Sequence, residues 1–278
     1  MVKRNLIMEK ALELFAENGF TATSIQQITD SCGISKGSFY LYFKSKDELI
    51  CGLVDYFMTE LITNIERSVS EEEPAERLLY NYYHTSFYTF QKHSGFTKIF
   101  LKEQMATINI ELLDQMKRYN SFSNTILESI VDRQFPCVEE RMRPDLIYVV
   151  KGFVKHYMEL FLICSYPVDL ETLSHSLVEK TAIIAKHAKV PFIAPEYLSF
   201  PNDCTLPTKE QLADMLTQSR REVTDEITLQ SIDLLKSELL EPHHPPAVIQ
   251  GLLKNLRADP NCKWVAFLYG LYSKTTAN

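Results

Sequence analysis

The hydrophobic positions of the first fifty residues recur every three or four residues, which predicts three short helices and the start of a fourth. The first helix is expected over about 3–18, ending before Gly19, at the position that a C-cap glycine takes. The others are expected to begin at Ser24, Ser35 and Ser45. Ser24 and Ser45 are each followed three residues later by Gln or Glu, as in a capping box. This part of the chain is therefore predicted to be a small helical unit.

Only three residues, 33–35, separate the second predicted helix from the third, and Gly33 is one of them. A short turn with glycine between two short helices is typical of a helix-turn-helix, whose second helix enters the major groove of DNA. The third helix is expected over 35–43, with Phe39 and Phe43 on one inner face. Because any all-α protein contains short helix pairs, the pattern alone leaves the question open.

The charge distribution favours a nucleic-acid partner for this part of the chain. A net charge of −7 argues against such a partner when it is taken alone. Residues 31–46, however, hold three lysines and no acidic residue. Screening limits electrostatic contact to a Debye length of about 8–10 Å, so the local potential governs phosphate binding. An acidic protein can therefore present a basic face.

The stretch TSIQQITDSCGISKGSFYLYFKSKDELI closely resembles the DNA-binding segment of the TetR family of bacterial transcriptional regulators. The likeness covers about residues 5–50, less than a fifth of the chain. It implies an all-α fold, with an N-terminal three-helix helix-turn-helix DNA-binding domain and a larger helical ligand-binding and dimerisation domain that here carries extra C-terminal helices. The resemblance places the following residues at DNA-facing positions: Ser24, Gln26, Ser35, Lys36, Gly37, Ser38, Tyr40, Leu41, Tyr42, Lys44 and Lys46.

Within this set, the resemblance places Ser38, Tyr40 and Leu41 against base edges, and Tyr42 and Lys46 against phosphates. The chemistry agrees, because lysine and tyrosine hydroxyls suit phosphate oxygens, serine bonds to several bases, and leucine can touch a thymine methyl.

Some members of the set have ordinary alternatives. Lys44 suits a solvated surface charge, and Tyr40 could pack on the first helix. Lys3 and Arg4 could form a minor-groove arm, although basic residues there are more often simply solvated.

The rest of the chain reads as a helical body followed by an extension. Proline residues and an acidic run separate helices predicted near 46–69, 74–92, 94–105, 108–134, 144–164 and 169–188. The family pairs its last two helices with those of a second copy, so residues 144–188 are expected to form a homodimer contact.

Residues 78–100 carry eight aromatic side chains, where the average composition predicts two or three. They could form a large aromatic core or a pocket for a flat or greasy ligand, since pockets are mostly apolar with a few placed polar groups. The candidate pocket residues are Tyr83, His84, Phe87, Phe90, Phe100, Gln104, Asn120, His156 and Tyr157.

The chain continues for some eighty residues beyond the length typical of the family. Residues 190–207 contain four prolines and suggest a linker or an extended wrap. A long helix is expected over 209–241, followed by helices near 245–257 and 261–273. The predicted domains are 1–48 for DNA binding, 49–190 for ligand binding and dimerisation, and 191–278 as an extension packed on the sensor body. A separate domain of about 70 residues is the alternative.

Several classes of protein are not expected. The six cysteines form no CxxC or Cys/His metal spacing, which suggests reduced thiols in a cytoplasmic protein without a metal or cofactor. The adjacent His243 and His244 are not expected to bind one metal ion together, because adjacent side chains point apart on most backbones. No apolar run could span a membrane, and charges interrupt the pattern that a signal peptide would need. Because no catalytic motif is present, an enzyme is not expected.

These observations favour a sequence-specific transcriptional regulator. The leading hypothesis is a homodimeric repressor on a pseudo-palindromic operator in double-stranded DNA, released by a small hydrophobic or amphipathic effector. Control of efflux or detoxification would then be plausible by family analogy. The alternative is a DNA-bound adaptor that responds to a protein partner, which the long C-terminal extension makes a serious rival.

Overall fold

A computed structural model describes residues 2–103, 110–163, 166–193 and 206–276. Every regular element in these ranges is a helix, in agreement with the predicted all-α fold. Among the described residues, no helix has the length and apolar character that crossing a bilayer requires. The chain divides into two compact units, Met1–Phe200 and Pro201–Asn278.

The N-terminal part of the first unit contains α1 (Val2–Asn18), α2 (Ile25–Cys32) and α3 (Lys36–Tyr40). Their apolar faces enclose one core with the start of the next helix. Its buried members are Ile7, Met8, Ala11, Phe15, Phe20, Ile28, Phe39, Phe43, Leu49 and Leu53. Burial of this cluster sets the angle between α2 and α3, since such short helices have little stability of their own.

The turn between α2 and α3 depends on Gly33. This residue adopts a left-handed conformation with φ of 64°, and its N–H donates to the carbonyl of Asp30. Residues other than glycine are strained in that region. The capping box at Ser24 is present as predicted, because its hydroxyl accepts from the N–H of Gln27 and the Gln27 side chain accepts from the N–H of Ser24.

Two local predictions for this region were wrong in detail. The third helix is shorter than expected, since α3 ends at Tyr40 and a turn carries Phe43 back into the core. Ser45 does cap the next helix by accepting from the N–H of Glu48. The Glu48 carboxylate, however, accepts from the backbone N–H of Lys44, where a capping box would use that of Ser45.

The remaining helices of the first unit form the body of this unit. They are α4 (Lys46–Ser68), α5 (Leu78–Lys92), α6 (Ser94–Glu103), α7 (Ile110–Gln134), α8 (Arg143–Ile163) and α9 (Leu170–His187). Helix α4 packs on α5 and α7, and α5 also packs on α9. Because Leu49 and Leu53 belong to the N-terminal core, the single helix α4 enters both that core and the body. The boundary predicted at 48/49 falls inside it.

The second unit contains α10 (Lys209–Arg220), α11 (Glu226–Leu240), α12 (Pro246–Ala258) and α13 (Lys263–Thr276). The single helix predicted over 209–241 was therefore wrong. The chain turns after Arg220, and Asp225 starts α11 by accepting from the N–H of Thr228. Arg220 and Asp233 then join the two helices, with N–O distances of 2.7 and 3.0 Å. That the extension packs on the sensor body stays a prediction.

Candidate DNA-binding site

The outer face of α3 and the turn after it exposes large side chains. Leu41 is 81% exposed and Tyr40 is 50% exposed, and Lys36 and Gly37 beside them are also exposed. Tyr40 leans on the buried Phe39, with ring centroids 5.5 Å apart in an edge-to-face arrangement. In this structure Tyr40 therefore lies outward rather than packed on α1. Of the three predicted base-reading residues, Tyr40 and Leu41 are thus accessible, and Ser38 is half-buried.

Gly37 adds no side-chain atoms to that surface. Its contacts with the described residues do not require a glycine at this position. A Cβ added at Gly37 would meet only the Ser35 hydroxyl oxygen, at an ordinary 3.7 Å. Its backbone is an ordinary helical one, unlike that of Gly33. A glycine that neither packing nor conformation demands is consistent with close approach by an external molecule.

The serine and glutamine candidates make local hydrogen bonds. Ser24 and Ser35 are the exposed N-caps of α2 and α3, and the Ser35 hydroxyl accepts from the N–H of Ser38. These caps fix the start of each helix. The Gln26 amide donates to the Asp30 carboxylate over 2.6 Å on the exposed side of α2, which orients the Gln26 side chain.

The structure gives Lys46 contacts that sequence reasoning did not foresee. Its ammonium donates to the backbone carbonyls of Phe20, Thr21 and Thr23 at 2.8, 3.3 and 2.9 Å. It also lies 4.3 Å from the centroid of the Phe20 ring. An ammonium has three protons, so these carbonyls occupy all of them. Lys46 therefore joins the α1–α2 connection to α4. Lys44, by contrast, has an exposed side chain.

Other basic and aromatic candidates are partly held by the core. Tyr42 is half-buried and packs against the N-terminal core. Lys3 and Arg4 belong to α1 and do not form an extended arm. The Arg4 guanidinium lies 5.0 Å from the centroid of the Phe43 ring.

Two predicted pocket residues are core residues in this structure. Tyr83 and Phe87 are both fully buried, with their rings stacked 6.4 Å apart. The Tyr83 hydroxyl and the Thr181 hydroxyl lie 2.8 Å apart, which joins α5 to α9. Burial raises the pKa of Tyr83 well above its ordinary value, so the phenol stays neutral. The neighbouring Tyr82 is also buried.

The other described candidates lie on α5 and α8. On α5, His84 stacks on Tyr80, and Phe90 packs on Phe57 with ring centroids 5.6 Å apart. On α8, His156 has a 73% exposed side chain beside Glu159, and Tyr157 meets Phe153 edge to face. The Phe100 side chain and Gln104 lie outside the described residues. That the candidate residues line one ligand pocket therefore stays a prediction.

Asn120 leads to a feature that the sequence gave no sign of. Its amide oxygen and that of Asn124 both accept from the ammonium of Lys151, 2.7 Å away in the case of Asn124. Burial between α7 and α8 lowers the pKa of Lys151 to about 8. No pattern predicted this, because the three residues are close only after the helices pack.

A polar junction between α4 and α7 was also not predicted. The Gln115 amide donates to the Cys51 carbonyl and to the Asp55 carboxylate, each at 3.1 Å. The Tyr119 hydroxyl donates to the same carboxylate over 2.6 Å. Because α4 also enters the N-terminal core, these bonds connect that core to α7.

An open cleft of about 310 Å³ lies at the other end of the body. It contains none of the predicted pocket residues. The end of α7, the following loop and α9 line it with Gln134, Phe135, Pro136, Cys137, Val138, Glu139, Met142, Ala182, Ala185, Lys186, Ala188 and Lys189.

Comparison with known proteins identifies the N-terminal region. The sequence profile described as "Bacterial regulatory proteins, tetR family" matches residues 7–51, which contain α2, α3 and most of α1. The HTH-type transcriptional regulator YerO of Bacillus subtilis is 28% identical over 280 residues, covering 97% of this chain and 94% of YerO. This relative therefore aligns with the C-terminal unit as well.

Two further proteins are similar to part of this chain. The transcriptional regulator FadR from Bacillus subtilis, solved in complex with stearoyl-CoA, has a TM-score of 0.56 at 22% identity. That match covers 63% of this chain and 96% of FadR, and shows the fold. The transcriptional repressor KstR2 of Mycobacterium tuberculosis is 33% identical over 155 residues, which cover 55% of this chain and 76% of KstR2. With the profile match, this relative shows that the chain belongs to the TetR family of bacterial transcriptional regulators.

Proposed function

We propose that this regulator is a dimeric repressor that binds a pseudo-palindromic operator and leaves it when a small hydrophobic or amphipathic molecule binds the body. The observation that carries the DNA-binding part is the outer face of α3. It combines an 81% exposed leucine, a half-exposed tyrosine and an exposed lysine around a glycine that the fold does not need. Such side chains are suited to base edges, methyl groups and phosphates in a major groove.

Dimerisation is supported by apolar surface on the last two helices of the body. Tyr148 and Leu160 on α8 are 41% and 40% exposed, and Ile183 on α9 is 54% exposed. A single helix-turn-helix makes too small an interface for tight, specific binding. Two copies paired through residues 144–188 would present two recognition helices about one turn of DNA apart.

Release by an effector requires a mechanical link between body and N-terminal core, and α4 provides one. Its first turns hold Leu49 and Leu53 in the N-terminal core, while Asp55 bonds to Gln115 and Tyr119 of α7. An effector that favours another arrangement of α7 would tilt α4 and move α3 out of register. It shifts the population only if it binds that state more tightly than the DNA-bound one.

The effector class is proposed from the apolar body and from the relatives. FadR was solved with stearoyl-CoA, which is an amphipathic molecule. The cleft of about 310 Å³ has the volume of a small ligand site. Control of efflux or detoxification genes is the setting that such an effector would suit.

The first test is fluorescence polarisation with labelled DNA from just upstream of the gene. We expect saturable binding that a scrambled duplex does not compete for. Lys36→Ala should weaken it, while Lys117→Ala, which removes an equally exposed charge on α7, should not. Equal effects of the two variants would contradict the proposed surface.

The second test adds a panel of acyl-CoA esters, fatty acids and aromatic cations to the complex. Release by one class would support the effector hypothesis and identify the ligand chemistry. Tight binding that no compound relieves would instead favour a protein partner as the regulator. The compact C-terminal unit is then the first region to examine for that partner.

A further inference from the structure

Three metal-ligating side chains meet at the end of α11. Glu238 lies in the last turn of this helix, and His243 and His244 follow in the connection to α12. Each offers one ligand atom, and the three atoms lie within 4.8 Å of one another. The Oε2 atom of Glu238 is 2.7 Å from Nδ1 of His244 and 3.7 Å from Nδ1 of His243.

The two adjacent histidines share one side of the chain, contrary to the expectation from sequence. Their ring centroids lie only 4.0 Å apart. Pro242 and Pro245 flank the pair, and each proline fixes its own φ and restricts the residue before it. The backbone that turns both rings towards Glu238 is therefore stiff before any ligand arrives.

Glu238 is held ready to coordinate. Its side chain is only 11% exposed, and its carboxylate accepts from the backbone N–H groups of His243 and His244 at 3.1 to 3.4 Å. These two backbone donors fix the orientation of the carboxylate towards the histidine rings.

We propose that Glu238, His243 and His244 form a binding site for a divalent transition metal, with Zn²⁺ the best match. Atoms bound to one tetrahedral Zn²⁺ at about 2.1 Å lie about 3.4 Å apart, between the two distances measured here. Two imidazoles and one carboxylate suit Zn²⁺, and a site without thiolates disfavours softer ions.

The site would leave one coordination position open to solvent. The side chain of His243 is 55% exposed and that of His244 is 22% exposed, so water can reach the metal from that side. The Nδ1 atom of His243 also contacts the carbonyl oxygen of Glu241. Coordination through Nδ1 of His243, the atom that lies 3.7 Å from Oε2 of Glu238, would replace this contact.

Zinc binding would act on the fold of the second unit. The metal would join the end of α11 to the segment just before α12. Pro245, which follows His244, is the N-cap of α12. A ligand that binds only the folded state raises the free energy of unfolding. In the metal-free chain, a hydrogen bond joins His244 to Glu238. Zn²⁺ would replace this hydrogen bond with metal–ligand bonds and would thus stabilise the connection between α11 and α12.

The test is isothermal titration of ZnCl₂ into the full chain, prepared without a histidine tag and stripped with EDTA. A Cys137→Ser background removes the thiol that is exposed among the described residues as a competing ligand. We expect one Zn²⁺ per chain and at least about tenfold weaker binding in Glu238→Gln, His243→Gln and His244→Gln. His156→Gln is the matched control, because His156 also lies beside a glutamate, and no described residue adds a third ligand to that pair.

The outcomes separate clearly. Unchanged circular dichroism spectra in EDTA would show that each variant folds. Spectra of the Co²⁺-loaded chain without the d–d bands of a tetrahedral site would count against the proposed tetrahedral coordination. The proposal is wrong if Zn²⁺ does not bind in the Cys137→Ser chain, or if the three ligand variants bind it as tightly as His156→Gln does.

Discussion

Lys44 and Lys46 carry the same charge two positions apart, but their surroundings give them different tasks. Lys44 is exposed, whereas the Lys46 ammonium donates to three backbone carbonyls. A free lysine can neutralise a phosphate and release its counterion. Removing Lys46 would instead take this donor from the carbonyl oxygens of Phe20 and Thr23, which are buried residues.

We therefore predict that Lys44→Ala makes the salt dependence of the operator-binding constant less steep, by the amount that about one phosphate contact contributes. The free energy of unfolding should not change. Lys46→Ala should lower the free energy of unfolding by about 1–3 kcal/mol. Salt titrations of operator binding and urea unfolding measure the two effects. Loss of salt dependence in Lys46→Ala with full stability would restore the phosphate role implied by the family resemblance.

Lys151 is predicted to make stability depend on alkaline pH. Burial lowers its pKa to about 8, while the unfolded chain retains the ordinary value near 10.4. Between these values the unfolded state binds more protons, so this residue makes the free energy of unfolding rise with pH. Below about pH 8 both states are protonated and its contribution is constant.

The comparison with Lys151→Met isolates this contribution from other titrating groups. Between pH 7.5 and 10, the stability of the wild type relative to the variant should rise by up to about 3 kcal/mol. Urea unfolding at several pH values measures the difference. A constant difference would show that the ammonium remains solvated.

At the scale of elements, the two glycines near α3 are predicted to respond oppositely to alanine. Gly33 has a left-handed φ of 64°, so Gly33→Ala should cost about 1–2 kcal/mol of stability. Gly37 is helical with free space around a Cβ, so Gly37→Ala should gain up to about 1 kcal/mol. The added methyl should nevertheless weaken operator binding, because it enlarges the surface presented to DNA.

Thermal unfolding and polarisation assays on both variants distinguish the two roles. A Gly37→Ala protein that is more stable and binds DNA as before would show that α3 does not approach DNA at this point.

Helix boundaries were largely predictable where a cap identifies them. Ser24, Ser35 and Ser45 each begin a helix as expected, because the serine side chain accepts from an N–H within three residues. The break between α10 and α11 was missed, although Asp225 is a suitable N-cap for the residues after it. The sequence did not indicate this break, because apolar residues recur at helical spacing on both sides of it.

At the scale of the whole chain, each compact unit has its own buried core. The second unit buries Leu212, Leu216, Val223, Ile232, Leu235, Leu239, Ile249, Leu252, Leu253, Leu256, Cys262, Val265, Ala266, Phe267, Leu268 and Tyr269. This number of apolar residues is sufficient for a small helical unit to fold independently.

We predict that residues 1–200 and 201–278, each produced alone, are helical and unfold cooperatively. Circular dichroism and calorimetry on the two fragments measure this. A second fragment without a cooperative transition would show that it depends on the rest of the chain. The predicted packing of the extension on the sensor body would then gain support.

Helical periodicity and caps act within a few residues, so most helices and most of their ends could be predicted from the sequence, and the TetR family from its resemblance over residues 5–50. Which side chains are exposed and which are held by other elements depends on the tertiary structure. Lys46 bonds to a carbonyl 26 residues away, Lys151 to an amide 27 away, and Tyr83 to a hydroxyl 98 away. The meeting of His243 and His244 at Glu238 depends on backbone angles that residue types alone do not specify. Such contacts form when separate elements pack, and no local pattern encodes the distance between them.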